Sequence, residues 1–126
     1  MHRARRGGRG RPRGLRHPHT PQEVAYPFTT ADEDGWENIT TSAEPHPGYP
    51  ATPEGQAAML RKASDLVRAV PGGLGLGVFT CEATWTAVQG NGGDPADPTS
   101  GNAWENQALF GFDDRALPAM RALGGR

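Results

Sequence analysis

The feature that most limits what this sequence can fold into is that it offers one convincing helix, one convincing strand, and no partner for the strand. Tyr49 to Val70 carries the helix. Thr52 can cap it, Pro53 suits the first helical position, and Glu54 favours the positive end of the helix dipole. Met59, Leu60, Ala63, Leu66, Val67 and Val70 recur at three- and four-residue steps and give one apolar face, and Pro71, Gly72 and Gly73 stop it. Leu76 to Cys81 then reads as a short buried strand. Helix, tight glycine turn and strand make one step of a parallel α/β fold, too little to close a sheet. Glu82 and Trp85 follow, then a Gly/Asn/Asp/Pro stretch from Gly90 to Asn102. A long loop after a parallel strand is where α/β barrels carry their active sites. Asp113 or Asp114 can cap a last helix through Leu123, with Pro118 tolerated only near its first turn.

Composition sharpens the point. Gly (18) and Pro (12) take an unusually large share of 126 residues and only 35% is hydrophobic, so little apolar surface offsets backbone ordering of roughly 1–2 kcal/mol per residue. The net charge of −1 hides two regimes. Seven of the 13 Lys and Arg residues lie between Arg3 and Arg16, whereas from His17 onward 6 basic face 14 acidic residues. The single Cys81 excludes an intrachain disulfide and a multi-cysteine zinc site. No apolar run is long enough to span a membrane, and no apolar stretch follows the basic residues to make a signal peptide.

Residues 1–22 read as a disordered Arg/Gly/Pro-rich tail, or as a misassigned start in a GC-rich gene. The rival is a non-catalytic nucleic-acid-binding protein whose Arg-rich arm neutralises phosphates. The tract has no interleaved aromatic for base stacking, which argues against nucleic acid as a partner.

Four ordered blocks in residues 23–126 carry a resemblance. Glu23-Val-Ala-Tyr-Pro-Phe-Thr29 resembles the E-T-A-Y-P-Y-T segment after the seventh barrel strand of glycoside hydrolase family 53 endo-β-1,4-galactanases. Tyr49-Pro-Ala-Thr-Pro-Glu-Gly-Gln56 is similar to the start of that family's next helix. Gly75 to Phe79 with Glu82 and Trp85 resembles its eighth strand, G-x-G-V-F-Y-W-E-P-A-W, and Gly101-Asn-Ala-Trp-Glu-Asn-Gln-Ala-Leu-Phe110 its closing segment. The resemblance implies the C-terminal fragment of a (β/α)₈ TIM barrel, from the end of strand seven through helix eight. It also implies retaining endo-hydrolysis of β-1,4-galactan in plant cell-wall arabinogalactan by two carboxylates, with no cofactor required and an extracellular setting.

On that resemblance Glu23 stands at the nucleophile position, and the acid/base Glu belongs to the end of the fourth strand, upstream of these residues. Tyr26, Glu82 and Trp85 become candidate substrate-binding residues, the two rings as sugar-stacking surfaces; for Tyr26 an ordinary core aromatic is an equal alternative. Cys81 and Ala83 replace the Trp and Pro that flank the family's Glu on strand eight, which removes one wall of the sugar site. Asp32-Glu-Asp-Gly-Trp-Glu-Asn38 resembles the D-G-D-G-H-P-N loop that binds calcium in some members. Asp32, Asp34 and Asn38 are kept as candidate ligands, while Trp36 replaces the His. The same spacing also suits an ordinary acidic turn. Finally, His17-Pro-His-Thr-Pro-Gln22 cannot build the central strand expected before Glu23.

Overall fold

The computed structural model describes residues 17–18, 23–88, 94, 96–97 and 99–124. Residues 1–16 and 19–22, and with them most of the expected tail and approach to Glu23, lie outside the described residues; His17 and Pro18 are exposed. Helix α1 runs Pro53–Arg68, shorter at both ends than the pattern predicts. Its start is the one the residues dictate. Thr52 is extended, its side-chain oxygen accepts the Gly55 N–H at 3.0 Å, and Pro53 opens the helix where a missing N–H costs nothing. Gly55 is required there, because a Cβ would collide with the Pro50 carbonyl. A 3₁₀ turn at Pro71–Gly73 ends the unit, with Gly72 at φ 79°. A second 3₁₀ turn spans Glu105–Gln107, and helix α2 is Pro118–Leu123. The cap of α2 differs from expectation. Leu117 precedes it without a side-chain bond, Pro118 is the first helical residue, and Asp113 and Asp114 lie in the turn before it.

The apolar face of α1 is also corrected. Gly55, Gln56, Ala57, Leu60 and Ser64 are the buried positions, and Leu66 is 60% exposed. α1 packs on α2, and the core joins Tyr26, Ala57, Leu60, Leu109 and Ala119. Among the described residues there is no regular β-strand. Leu76 to Cys81 is extended, but Leu76 (69%) and Phe79 (64%) are exposed, so the expected burial of this strand is not met. Between described residues the parallel pairing seen is the bridge Val24 to Thr80: the Val24 N–H donates to the Phe79 carbonyl at 2.8 Å, and the Cys81 N–H to the Val24 carbonyl at 3.2 Å. A strand acquires its buried character from neighbours on both sides, and the described residues hold too few of them.

The second half of the interior is polar. Gln56, Asn102, Glu105 and Asn106 are among the largest fully buried side chains. Gln56 Nε2 donates to the carbonyls of Tyr26 and Ala108, both at 2.9 Å, and so pins α1 to two irregular segments. Asn106 Nδ2 donates to the Thr29 and Thr40 carbonyls at 3.0 and 2.8 Å. Amide side chains thereby satisfy loop carbonyls that a sheet would otherwise pair. No helix among the described residues is long and apolar enough to cross a membrane.

Candidate functional site

The Val24–Thr80 bridge fixes the neighbourhood of Glu23. With Val24 paired to Thr80, Glu23 and Cys81 fall on the same face of the two extended segments. Glu23 is exposed, and Glu82 is exposed next to Cys81 in a turn. Burial pushes the Cys81 thiol up from its ordinary value, and the charges of Glu23 and Glu82 push it further. A thiol held protonated beside two carboxylates is a poor nucleophile. Glu82 sits at φ 49°, a left-handed conformation that bulky residues seldom adopt, and its carbonyl accepts the Trp85 N–H at 3.1 Å. This turn sets both Glu82 and Trp85 at the end of the extended segment.

Tyr26 is not where a sugar-stacking ring would be. It is 6% exposed and belongs to the core; its hydroxyl donates to the Tyr49 carbonyl at 2.5 Å and accepts the His46 N–H at 3.1 Å. The ring binds the 24–28 segment to the lead-in of α1, so the expected substrate role is replaced by packing. Trp85 is half-buried and lines an open cleft.

The acidic loop forms two nested turns: Asp32 Oδ1 accepts the Gly35 N–H at 2.7 Å, and Asp34 Oδ1 the Trp36 N–H at 2.9 Å. The loop is also tied across the chain. Asp34 Oδ2 accepts the Asn102 N–H at 2.6 Å, and Glu105 Oε1 accepts the Glu33 N–H at 2.7 Å. Carboxylate oxygens of Asp32, Asp34 and Glu105 lie within 4.8 Å of one another. Glu105 is fully buried beside the Asn38 side chain; Glu105 Oε2 and Asn38 Oδ1 each lack a partner in good hydrogen-bond geometry, and Asn38 Nδ2 donates to the Ala31 carbonyl at 3.0 Å. Burial raises the Glu105 carboxyl above the usual range. The Glu33 N–H opposes that rise, and the charges of Asp34 and Asp32 add to it.

An all-oxygen set with a buried, unsatisfied carboxylate oxygen and a buried, unsatisfied amide oxygen fits a hard divalent cation. Glu105 is the residue that the sequence pattern does not assign. Its block was legible as a family segment, but a carboxylate inside a Trp-Glu-Asn-Gln-Ala-Leu run carries no ligand spacing of its own. Only folding brings it to Asp32 and Asp34.

Comparison with known proteins identifies the family. The model of the family described as glycosyl hydrolase family 53 matches residues 20–123. A protein of the bgaB 5' region in Niallia circulans is 38% identical over 104 residues, covering 80% of this chain and 27% of that protein. The endo-beta-1,4-galactanase of Bacillus subtilis (strain 168) is 31% identical over 127 aligned positions, covering 80% and 29%. The GH53 catalytic domain of Ignisphaera aggregans superposes with a TM-score of 0.71 at 39% identity, covering 80% of this chain and 28% of that one. The chain thus spans under a third of the length of these relatives, whose family fold is a TIM barrel. It belongs to glycosyl hydrolase family 53.

Proposed function

We propose that residues 23–126 are the C-terminal part of a family 53 catalytic domain that hydrolyses internal β-1,4-galactosidic bonds with retention, and that Glu23 is its nucleophile. The observation that carries this reading is the parallel Val24–Thr80 bridge, which sets Glu23 beside the segment ending at Cys81 and Glu82, the two-strand neighbourhood a barrel active site needs. Ionised Glu23 would attack the anomeric carbon while a second carboxylic acid protonates the departing oxygen. Water, deprotonated by that second group, would then release the sugar and restore Glu23. The second carboxylate is expected in the part of the domain that the matched residues do not span. Glu82 and Trp85 would contact the substrate. Asp32, Asp34, Glu105 and Asn38 would hold a calcium ion, whose positive charge would relieve the repulsion among three carboxylates and knit two loops together. Galactan is an external polymer, so an extracellular setting follows for the whole enzyme.

The test is a graft. Residues 23–123 replace the corresponding segment of the Bacillus subtilis galactanase, and the chimera is assayed on β-1,4-galactan with the anomer of the first product followed by NMR. Hydrolysis with retention, abolished by Glu23→Gln, is the expected result. A Glu23→Gln chimera as active as its parent would remove Glu23 from the nucleophile role.

A further inference from the structure

All three tryptophans of the chain line one cleft. Trp36, Trp85 and Trp104, with Asp94, Ser100 and Asn102, border an open space of about 200 Å³. They reach it from three separate segments: the acidic loop, the turn after the extended 76–81 segment, and the run that leads into Glu105. Such convergence needs a device to hold it, and two polar residues supply one. Asn102, 2% exposed, donates through Nδ2 to the Trp85 carbonyl at 2.8 Å and accepts the Trp104 N–H on Oδ1 at 3.0 Å. Asp34 accepts the Trp36 N–H at 2.9 Å and the Asn102 N–H at 2.6 Å. The two side chains fix the backbones of all three tryptophans. Gly101 completes the fit, since a Cβ there would collide with Trp36 Cβ and lie 2.5 Å from an Asp34 oxygen.

Trp36 remains 47% exposed in this arrangement, and Trp85 and Trp104 are half-buried. Indole surface left open beside a polar rim suits a ligand with an apolar face and a hydroxylated edge. A hexopyranose has both, one face of C–H groups and a belt of hydroxyls for which Asp94 is an exposed acceptor at the rim. The space is the scale of one sugar ring, and among the described residues that line it the charged side chain is the acidic Asp94, which favours a neutral sugar over a uronate.

We propose that Trp36, Trp85 and Trp104 form a binding platform for one neutral galactosyl unit of a β-1,4-galactan chain, a subsite separate from the Glu23 position. Trp36 thereby carries a role of its own in this chain: the position that resembles a calcium-ligating His supplies sugar-stacking surface instead. The choice of galactose rests on the galactan reading above; the platform itself does not.

The full chain reports on the platform directly, because its tryptophan emission arises from these three rings alone. Titration with β-1,4-galactotetraose should shift that emission saturably. Trp36→Ala should weaken binding at least about tenfold, a loss of about 1.4 kcal/mol, whereas Trp36→Phe should retain most of it. Trp36 is far from fully buried, so truncation leaves the core intact; circular dichroism of each variant checks this. Lys62→Gln, on the exposed side of α1 and away from the cleft, should leave the response in place. Equal affinity in Trp36→Ala and parent, or a response lost equally in Lys62→Gln, would overturn the platform. A Trp36-dependent response to cello- or manno-oligosaccharides but not to galactotetraose would keep the platform and remove the galactan reading. No response to any of these sugars would remove the platform, while the graft assay would still decide the role of Glu23.

Discussion

Asp34 and Asn102, 68 residues apart in sequence, meet through a hydrogen bond of 2.6 Å from the Asn102 N–H to Asp34 Oδ2. It joins the acidic loop to the segment that carries Glu105, and both partners make further bonds that a lone surface turn would not need. Asp34 also receives the Trp36 N–H, and Asn102 also holds Trp85 and Trp104. Loop structure here is cross-braced by side chains, which is how irregular segments stay ordered without a sheet.

Asn102→Ala is therefore expected to cost on the order of 2–4 kcal/mol, because it deletes two side-chain hydrogen bonds and strands a buried carbonyl and N–H. Asp34→Ala should cost less, since one of its two bonds, from the Trp36 N–H, is exposed to solvent. Chemical denaturation of the grafted galactanase, in which the segment has its barrel neighbours, measures both. The double variant should lose less than the sum of the two, because the pair shares one network.

Gln56 is the second brace. It is fully buried, yet its Nε2 reaches two carbonyls from different segments. Gln56→Leu conserves volume and removes the donor, leaving the Tyr26 and Ala108 carbonyls unpaired. A loss on the order of 2–3 kcal/mol is expected by denaturation. Gln56→Glu should be worse at neutral pH, as an ionised carboxylate would face two carbonyl oxygens. A near-neutral effect of either change would show that water replaces the bond.

These two braces mark what the sequence could and could not tell. The start of α1 was legible because Thr52, Pro53 and Glu54 act within one turn of each other, and local chemistry decides. The buried side of α1 was not. Periodicity counted Leu66 as core, while Gln56 and Ser64, polar by type, take buried positions, Gln56 because the surface it meets presents the Tyr26 and Ala108 carbonyls. Leu76 and Phe79 look like a buried strand, but burial belongs to neighbours that these residues do not contain. At the site, Glu23 and Glu82 were placed by motif, and the fold brings both close to Cys81, Glu23 through the Val24–Thr80 bridge and Glu82 through chain adjacency. Glu105 was invisible as a partner of the acidic loop, since that loop lies some seventy residues upstream. For Tyr26 two readings stayed open, sugar-stacking ring or core aromatic, because a ring beside such a motif reads the same in either place; the fold buries it in the core.

Glu105 gives a pH dependence whose sign follows from its environment. Burial raises its folded-state carboxyl, the Glu33 N–H opposes, and Asp34 and Asp32 add to the rise. Between the ordinary carboxylate value and this raised one, the folded form holds more protons than the unfolded form. Stability should therefore be fullest below the unfolded value and fall as pH rises through the folded one. Glu105→Gln can still accept the Glu33 N–H, and it should flatten that decline and raise stability at neutral pH in chelator. Calcium should do the same for the parent by pairing with the ionised group, and should do little for Glu105→Gln. Denaturation across a pH series, with calcium and with chelator, separates the two effects. A parent whose stability in chelator climbs through this window would contradict the assignment.

The last expectation concerns the face that the extended segment leaves open. Leu76 and Phe79 are 69% and 64% exposed, and Leu76, Val78, Ala83, Leu109, Met120 and Leu123 border a groove of about 610 Å³ between that segment and the helices. Apolar surface of this kind beside a single parallel bridge is a template for pairing with another chain. The 126-residue chain by itself is expected to associate at micromolar concentration, to unfold with weak cooperativity, and to release no oligosaccharide from galactan. Leu76→Lys with Phe79→Lys should increase the monomer fraction in light scattering while leaving helix content unchanged, because neither residue belongs to α1 or α2. If the parent chain is instead a monomer with one sharp unfolding transition, the groove is not a liability and these residues form a self-sufficient unit. If it associates and the lysine pair does not relieve it, the contact lies elsewhere, and the exposed face of α1 around Leu66, at 60% exposure, is the next surface to change.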